Sequence, residues 1–322
     1  MRRRALLGGM GTVLCAPALR AETTVLRLAT TGAPSSATGR GAAALVEAVG
    51  RLGGPLRVET YLYGSAGGEG ELTEALTLGS VDLAILNVSA FSGIAPMMSL
   101  FDAMFLFRDA RHGRAVMDGP LGREAISWLE PKGVVGLAWG ENGMRHMTST
   151  QPIRRPADLR DLTIRIPASD VLSGGFKVLG GKPVVLPFPE LYTALASGQV
   201  AAQENPITVA EGSRFFEVQK VLSLTGHAYS SCLFALSGRT AARLSPATRS
   251  ALGDGARQAA QVTRDVSEAA ERDGIERLRK AGMTVASDVD RAAFVSALTE
   301  FTGSLAPRFG QQRLDTIRNA AA

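Results

Sequence analysis

Short apolar segments of strand length alternate with helical segments along most of this chain. In the helical segments apolar residues recur at three- and four-residue steps, as Ala44, Leu45 and Ala48 do. The predicted strands are residues 25–30, 56–63, 81–88, 133–139, 162–166, 184–186, 200–203, 218–224 and 231–236, and the predicted helices are 41–52, 71–78, 171–179 and 189–196. This alternation is typical of α/β domains in which helices cover both faces of a sheet.

The length of the chain predicts two such α/β lobes. Its 322 residues exceed one ordinary domain. We assign residues 22–142 and 231–270 to lobe I, and residues 143–230 and 271–322 to lobe II. The strand at 231–236 is expected to return to the first sheet.

Residues 245–281 have a different pattern, which predicts one long helix or two shorter ones. Ser245 followed by Pro246 is a helix start, and Gly282 supplies a stop. Between them apolar residues recur with helical spacing. An unbroken helix of this length would measure about 55 Å, longer than a small lobe. The alternative is a break near residues 253–255 or at Gly274.

The N-terminus has the features of a secretory signal. Residues 1–21 combine Arg2, Arg3 and Arg4 with a short apolar run and end in small residues, with cleavage expected after Ala18 or Ala21. Twin-arginine and general secretion signals both fit. These residues hold four arginines and no acid, so the formal charge of +5 falls to +1 on cleavage. A charge near zero gives no reason to expect nucleic-acid or membrane-surface binding.

Residues 162–206 contain the best candidate for a binding site. Arg165 lies between two apolar residues of a short strand that stops at Pro167. A second strand ends in the polar run 203–206, Gln-Glu-Asn-Pro. Ligands of α/β sheets bind where strands end and loops begin. Together these features predict a pocket for a small anion.

The same segment resembles the substrate-binding proteins of tripartite ATP-independent periplasmic (TRAP) transporters. In that family a strand of the form K-I-R-V-P precedes a stretch of the form pmpfsElYtALqtGvvDGqEnP. The matching stretches here are 164–167, 187–195 with Gly198, and 203–206, and further likeness lies in 143–149, 152–159 and 224–227. The usual Asp-Gly before Gln-Glu-Asn-Pro is replaced by Ala201-Ala202. The resemblance covers roughly residues 24–310.

This resemblance implies a two-lobed α/β periplasmic binding protein with hinge strands and a long helix that spans both lobes. It also implies roles for individual residues. Arg165 would clamp the carboxylate of the substrate, and Arg145 would approach the same carboxylate from the hinge side. The other substrate-binding candidates are Asn205, Phe188, Pro167, Ser169, Asn87 and Thr31.

Each candidate also has an ordinary structural explanation. Arg165 could be an exposed strand arginine or the partner of Glu204 or Asp161, and Arg145 could be a loop arginine. Asn205 before a proline is a common turn residue. Phe188 could fill the interior of a lobe, and Asn87 could be a polar strand end. Only the resemblance favours the binding roles.

The sequence offers little for catalysis. Its histidines and its single mature cysteine, Cys232, lack the spacing of a zinc site, and no Walker loop, nucleophile elbow or dinucleotide motif is present. We therefore expect no enzyme activity, no cofactor and no metal. Cys232 is predicted to be a buried strand thiol. The glycine-rich residues 64–70 are interpreted as a flexible connection or as part of a cleft rim.

We expect a periplasmic protein that binds a small organic acid between its lobes. By resemblance, its partners would be the small and large membrane subunits of a TRAP transporter. The sequence leaves the oligomeric state open, and a monomer is the default expectation. No extra cation is evident for a second carboxylate, which slightly favours a hydroxy or sugar acid over a C4-dicarboxylate such as succinate. The alternatives are a binding protein of an ABC transporter or sensor and, in a different class, a secreted enzyme.

Overall fold

In a computed structural model that describes residues 23–51 and 56–321, the chain forms a mixed sheet covered by helices. The strands are β1 Thr24–Ala29, β2 Leu56–Tyr61, β3 Leu83–Asn87, β4 Val134–Ser149, β5 Thr163–Ile166, β6 Lys182–Val185, β7 Ala202–Pro206, β8 Val221–Ser237 and β9 Thr284–Ala286. The α-helices are α1 Ala37–Arg51, α2 Glu69–Leu78, α3 Ala110–Asp118, α4 Pro120–Ser127, α5 Asp170–Val178, α6 Leu191–Ala196, α7 Ile207–Gly212, α8 Gly238–Arg243, α9 Pro246–Ala269, α10 Ile275–Lys280, α11 Arg291–Ala297, α12 Thr299–Gly303, α13 Ala306–Phe309 and α14 Gln311–Asn319.

The strands follow the order β2-β1-β3-β8-β4-β7-β5-β6, with β9 paired to β8. Parallel pairs lie towards both edges, β2-β1-β3 at one and β7-β5-β6 at the other. Between them β8 and β4 run antiparallel to each other and to their outer neighbours. The arrangement is α/β in class, as predicted, and a single sheet joins the two halves.

The central strands are longer than predicted. The predicted strands 218–224 and 231–236 are the two ends of β8, and β4 continues ten residues beyond the predicted 133–139. The reason is that polar and glycine residues in the middle, such as Glu141 and Gly143, stay in the ladder. Bulges lie at Glu141/Gly143 and Arg145/Met147, and Gly143 has a φ of +118° that glycine adopts easily. Both strands therefore cross from one half of the molecule to the other.

The long helix is continuous. The chain passes from α9 through a π-helical stretch, Ala270–Gly274, into α10. Of the two predicted break points, residues 253–255 are fully helical and Gly274 lies in the π-helical stretch, where the ladder widens without breaking. The helix packs closely on α1, since a Cβ on Gly41 would come within 2.6 Å of Thr263 Cγ2.

Buried apolar residues form clusters on both halves of the sheet. The largest contains Phe91 and Phe101, and it also contains Phe309, Leu314 and Ile317 from the C-terminal helices. These last residues belong to the stretch that we assigned to lobe II, although they pack with residues assigned to lobe I. The assignment of residues to lobes stays a prediction. The predicted signal, residues 1–21, lies outside the described residues.

Candidate functional site

A cavity of about 380 Å³ lies where the carboxyl ends of β3, β5 and β6 meet. One wall comes from the start of α2 and the residues after β3, and the other from the residues after β5 and β6. The lining residues are Gly68, Glu69, Gly70, Glu71, Ser89, Ala90, Ser92, Gly93, Arg165, Pro167, Ala168, Val185, Leu186, Pro187 and Phe188. This is the position in which α/β proteins bind ligands.

The two walls touch at the rim of the cavity. Ser92 Oγ donates to the Ala168 carbonyl oxygen at 3.2 Å. Gly64 lies against Pro189, so that a Cβ on this glycine would come within 2.8 Å of the proline Cγ. The glycine-rich residues 64–70 thus form part of the rim, because small residues let the walls approach.

Arg165 is the cation of the cavity wall. Its side chain is buried, with 3% of the residue exposed, and Nε and Nη2 donate to the Leu186 carbonyl oxygen at 3.0 and 2.7 Å. Among the described residues no carboxylate pairs with it, and Nη1 has no partner. Burial lowers the pKa of Arg165 to about 10, so the guanidinium is charged at neutral pH. A buried, charged fork with free donors is suited to a carboxylate.

Phe188 stands beside this arginine. The Arg165 Cζ lies 5.8 Å from the centroid of the Phe188 ring, within the range of a cation–π contact. The ring also approaches Phe215 in the core, at 6.4 Å between centroids. Phe188 therefore lines the cavity and packs on the lobe interior at once.

Glu69 faces the cavity from the other wall. Its Oε1 accepts from the Asn87 backbone N at 3.1 Å and from Asn87 Nδ2 at 2.7 Å. The Asn87 Oδ1 in turn accepts from Asn142 Nδ2 at 3.1 Å and from Ser230 Oγ at 3.3 Å. Because its amide is already engaged on both sides, Asn87 orients Glu69.

Arg145 forms a buried ion pair on the hinge strands. In β4 it lies beside Glu204 of β7, with Nη2 donating to Oε1 at 2.8 Å and Nε donating to Oε2. His227 Nε2 lies 3.1 Å from the same carboxylate, and its Nδ1 lies 2.8 Å from Thr225 Oγ1. Since a carboxylate only accepts, Nε2 must donate, and Nδ1 then accepts from Thr225 in the neutral ring.

The charges of this network are settled by burial and pairing. Burial opposes ionisation of Glu204, but the charge of Arg145 and hydrogen bonds from His227 and Arg145 outweigh it and lower the pKa of Glu204 to about 2. Burial lowers the pKa of His227. At neutral pH the network therefore contains an ionised pair and a neutral histidine.

A second carboxylate near this network has no cation in contact. Asp102 is buried, and its Oδ2 has no hydrogen-bond partner among the described residues. Burial raises the pKa of Asp102 to about 7, with the Ser169 hydroxyl and the charge of Arg145 acting in the opposite sense. Ser169 itself caps α5, accepting from the Leu172 N at 3.3 Å.

The predicted site residues occupy three kinds of position. Those that line the cavity are Arg165, Phe188 and Pro167. Those that lie behind it with their side chains in hydrogen bonds are Arg145, Asn205, Asn87 and Ser169. Thr31 is buried and is not part of the lining. Contact of any of them with a ligand stays a prediction.

The sequence-based reasoning missed Glu69 and Asp102. Both left a signal in the sequence, because each is an acid in an unusual setting. Glu69 lies among glycines, and Asp102 lies in the apolar run from Leu100 to Met104.

In residues 23–51 and 56–321, no three side chains of the types that bind metals are grouped closely enough to hold an ion. In the same part of the chain, no helix combines the length and apolar character needed to cross a membrane. Cys232 is buried in β8, as predicted, and burial raises the pKa of its thiol.

Two halves joined by long hinge strands enclose a cavity whose cation, Arg165, pairs with no carboxylate of the described residues, an arrangement suited to binding a small anionic solute. The chain belongs to the bacterial extracellular solute-binding proteins of family 7, whose model matches residues 28–306, and this confirms the resemblance to TRAP transporter binding proteins.

Known members include proteins with different ligands. The 2,3-diketo-L-gulonate-binding periplasmic protein YiaO of Escherichia coli is 37% identical over 249 residues, 77% of this chain and 76% of that protein. A TRAP periplasmic solute-binding protein of Polaromonas, solved bound to D-erythronate, has a TM-score of 0.91 and 36% identity over 93% of this chain and 99% of that one. Another from Sulfurospirillum deleyianum, with bound succinate, has a TM-score of 0.89 and 27% identity, covering 93% and 100%.

Proposed function

We propose that this protein captures a hydroxy or sugar acid in the cavity between its lobes and delivers it to a TRAP transporter. It acts in the periplasm, as a monomer, after removal of residues 1–21. Its partners are the small and the large membrane subunit. Binding, not catalysis, is the function, in keeping with a family of solute-binding proteins.

This proposal depends on one observation: Arg165 is buried and has no carboxylate partner among the described residues. A guanidinium taken out of water without a counter-ion costs free energy. That cost is offset when a ligand carboxylate takes the free donors on Nη1, because each charge-assisted hydrogen bond contributes about 1.5–3 kcal/mol. Arg145 lies behind and adds positive potential, although Glu204 neutralises most of its charge.

The lining favours one carboxylate over two. Arg165 is the single cation among the lining residues, and the two other charged residues, Glu69 and Glu71, are acids. A dicarboxylate would lack a partner for its second charge. The relatives bound to or named for D-erythronate and 2,3-diketo-L-gulonate are 36% and 37% identical, whereas the succinate-bound one is 27% identical.

Binding is coupled to closure of the lobes. A ligand that contacts both walls stabilises the form in which they touch, as Ser92 and Ala168 do, and shifts the population towards it. That closed form is the one presented to the membrane subunits.

A thermal-shift screen of the mature protein tests the proposal. The panel contains aldonates, hydroxy acids, keto acids, C4-dicarboxylates and amino acids. A ligand at 100 times its dissociation constant adds about 2.7 kcal/mol of stability, which moves the melting temperature by several degrees.

Two variants make the screen specific. The shift should disappear in Arg165→Ala and persist in Arg160→Ala, which removes an exposed arginine from the opposite end of β5. If no carboxylate stabilises the protein, or if the stabilisation survives the loss of Arg165, the proposed function is wrong.

A further inference from the structure

Opposite charges face the cavity from its two walls. On one, Arg165 offers the donors on Nη1, and on the other Glu69 offers Oε2, which has no hydrogen bond among the described residues. A ligand held at Arg165 by its carboxylate therefore extends towards an acceptor.

Glu69 has a simpler explanation, since it lies in the first turn of α2, where the helix dipole favours an acid. Glu71 performs that task in the same turn, accepting from the Gly68 backbone N at 2.8 Å. Glu69 is instead directed to Asn87, whose Oδ1 is occupied by Asn142 and Ser230. The helix start thus explains why an acid is tolerated there, while the network explains its direction.

We infer that Glu69 determines the class of substrate, by selecting a hydroxyl at the end of the ligand remote from Arg165 and rejecting a carboxylate there. A hydroxyl can donate to the free Oε2. A carboxylate has nothing to donate and would place two like charges in a desolvated cavity, where their repulsion is strong. Glu69 is half-buried, and a ligand that covers its free Oε2 without donating to it leaves that acceptor unpaired, which disfavours such a ligand. The inference rests on the proposed function, because it needs a carboxylate at Arg165.

The protonation of Glu69 provides a second way to test this role. Burial raises its pKa, opposed by hydrogen bonds from Asn87 and by the charges of Arg165 and Arg145. Two other acids are near enough to matter: Asp102, whose charge interacts with that of Glu69, and Glu71, which lines the same cavity. When Glu69 takes up a proton it can donate, so rejection of a second carboxylate should weaken as the pH falls.

The test uses pairs of ligands that differ at one end. D-Erythronate and meso-tartrate share a carbon skeleton, and oxidation of the terminal CH₂OH of the first gives the carboxylate of the second. Galactonate and galactarate form a matching pair with six carbons. Dissociation constants of all four are measured by calorimetry for the mature protein, for Glu69→Gln and for Glu74→Gln, an exposed acid on the same helix. Melting temperatures confirm that each variant folds.

The wild-type protein and Glu74→Gln should prefer the monoacid of a pair at least about 100-fold at pH 7.5. In Glu69→Gln the preference should shrink at least tenfold, chiefly because the diacid binds more tightly. Because the pKa of Glu69 is raised above 4.5, the preference should fall in the wild type as the pH is lowered from 8 to 4.5 and stay nearly constant in Glu69→Gln. This difference separates Glu69 from Asp102.

A preference that is the same in Glu69→Gln and in the wild type at both pH values overturns the role of Glu69. If that happens while carboxylates still bind through Arg165, the proposed function survives and only this inference fails. If neither monoacid binds but dicarboxylates do, the inference fails together with the hydroxy-acid preference. If no carboxylate binds at all, the proposed function itself has failed.

Discussion

Arg145 and Arg165 were predicted to share one task, yet the structure gives them opposite surroundings. Arg145 lies on the hinge strands and makes bidentate contacts with Glu204. Arg165 lies at the end of β5, and within the described part of the chain its guanidinium donates only to the Leu186 carbonyl oxygen. Both are buried, with 5% and 3% of the residue exposed. Burial is therefore the same, and the counter-ion is the difference.

The comparison separates a structural cation from one that is available for binding. A buried charge whose partner is internal stabilises the folded protein, since removing either partner strands the other. A buried charge without an internal partner lowers the stability of the protein until a ligand supplies the opposite charge. Loss of Arg145 should therefore be felt mainly in folding, and loss of Arg165 mainly in affinity.

The largest effect is expected for Arg145→Met. It leaves Glu204 ionised and buried without its cation, which should lower the free energy of unfolding by about 3–5 kcal/mol. Urea denaturation at pH 7 measures it. Arg277→Met, which opens an exposed pair with Glu211, is the matched control and should cost less than about 1 kcal/mol.

The double variant Arg145→Met/Glu204→Met should recover much of that loss, because it removes both charges. The pH dependence has a defined sign. The pKa of Glu204 is about 2 when folded and about 4.5 when unfolded, so its contribution is present above pH 4.5 and is lost as the pH falls towards 2. If Arg145→Met lowers the free energy of unfolding no more than Arg277→Met does, Arg145 is not a structural cation and the contrast with Arg165 is wrong.

Arg165→Met should reverse the pattern. Affinity for the best ligand of the screen should fall by about 100-fold or more, which corresponds to about 3 kcal/mol. Stability without ligand should change by less than about 1 kcal/mol or rise, since an unpaired buried charge is replaced by an apolar chain of similar length. Calorimetry and urea denaturation on the same preparation test both. A large loss of stability with unchanged affinity would make Arg165 the structural cation.

The sequence predicted the α/β class and most strands, because apolar periodicity is local information. It did not predict that 218–224 and 231–236 are one strand. Between them, Thr225, Gly226 and His227 interrupt the apolar pattern. The Thr225 hydroxyl pairs with His227 Nδ1, and His227 Nε2 donates to Glu204, which lies 23 residues away in the sequence. Polar residues inside a buried strand contradict local patterning, as functional regions often do.

For a related reason, the sequence predicted only part of the candidate site. The motif around Arg165 pointed to the cavity wall, but the partners of an arginine depend on strand register across long separations. Arg145 and Glu204 are neighbours only because β4 pairs with β7. Glu69 could not be placed either, since its direction is set by Asn87, which follows it by 18 residues.

Asp102→Asn tests the carboxylate that lacks a cation, the counterpart of Arg165. The pKa of Asp102 is about 7 when folded and about 3.8 when unfolded, so the folded state binds the extra proton between these values. Stability should thus fall as the pH rises from 4 to 7, by about 1.4 kcal/mol per unit at most. Asparagine imitates the neutral acid and should abolish this slope.

The variant and the wild type should accordingly be equally stable near pH 4, and the variant should be more stable at pH 8. Denaturation curves across that range measure the difference. Asp315→Asn, an exposed aspartate near Arg318, is the control and should stay within about 0.5 kcal/mol of the wild type. Parallel curves for Asp102→Asn and the wild type would show that Asp102 is already paired.

The smallest effect is expected for Phe188→Leu. This variant tests whether a residue next to Arg165 also contributes to ligand binding. The ring contributes a cation–π contact and apolar surface at the cavity wall, so its loss should weaken binding about fivefold, near 1 kcal/mol. Phe216→Leu changes a half-buried ring packed on the same core cluster but absent from the cavity lining. The two variants should lose similar stability, and only Phe188→Leu should lose affinity. Equal affinities would confine the binding role to the guanidinium and make Phe188 a core residue that happens to border the cavity.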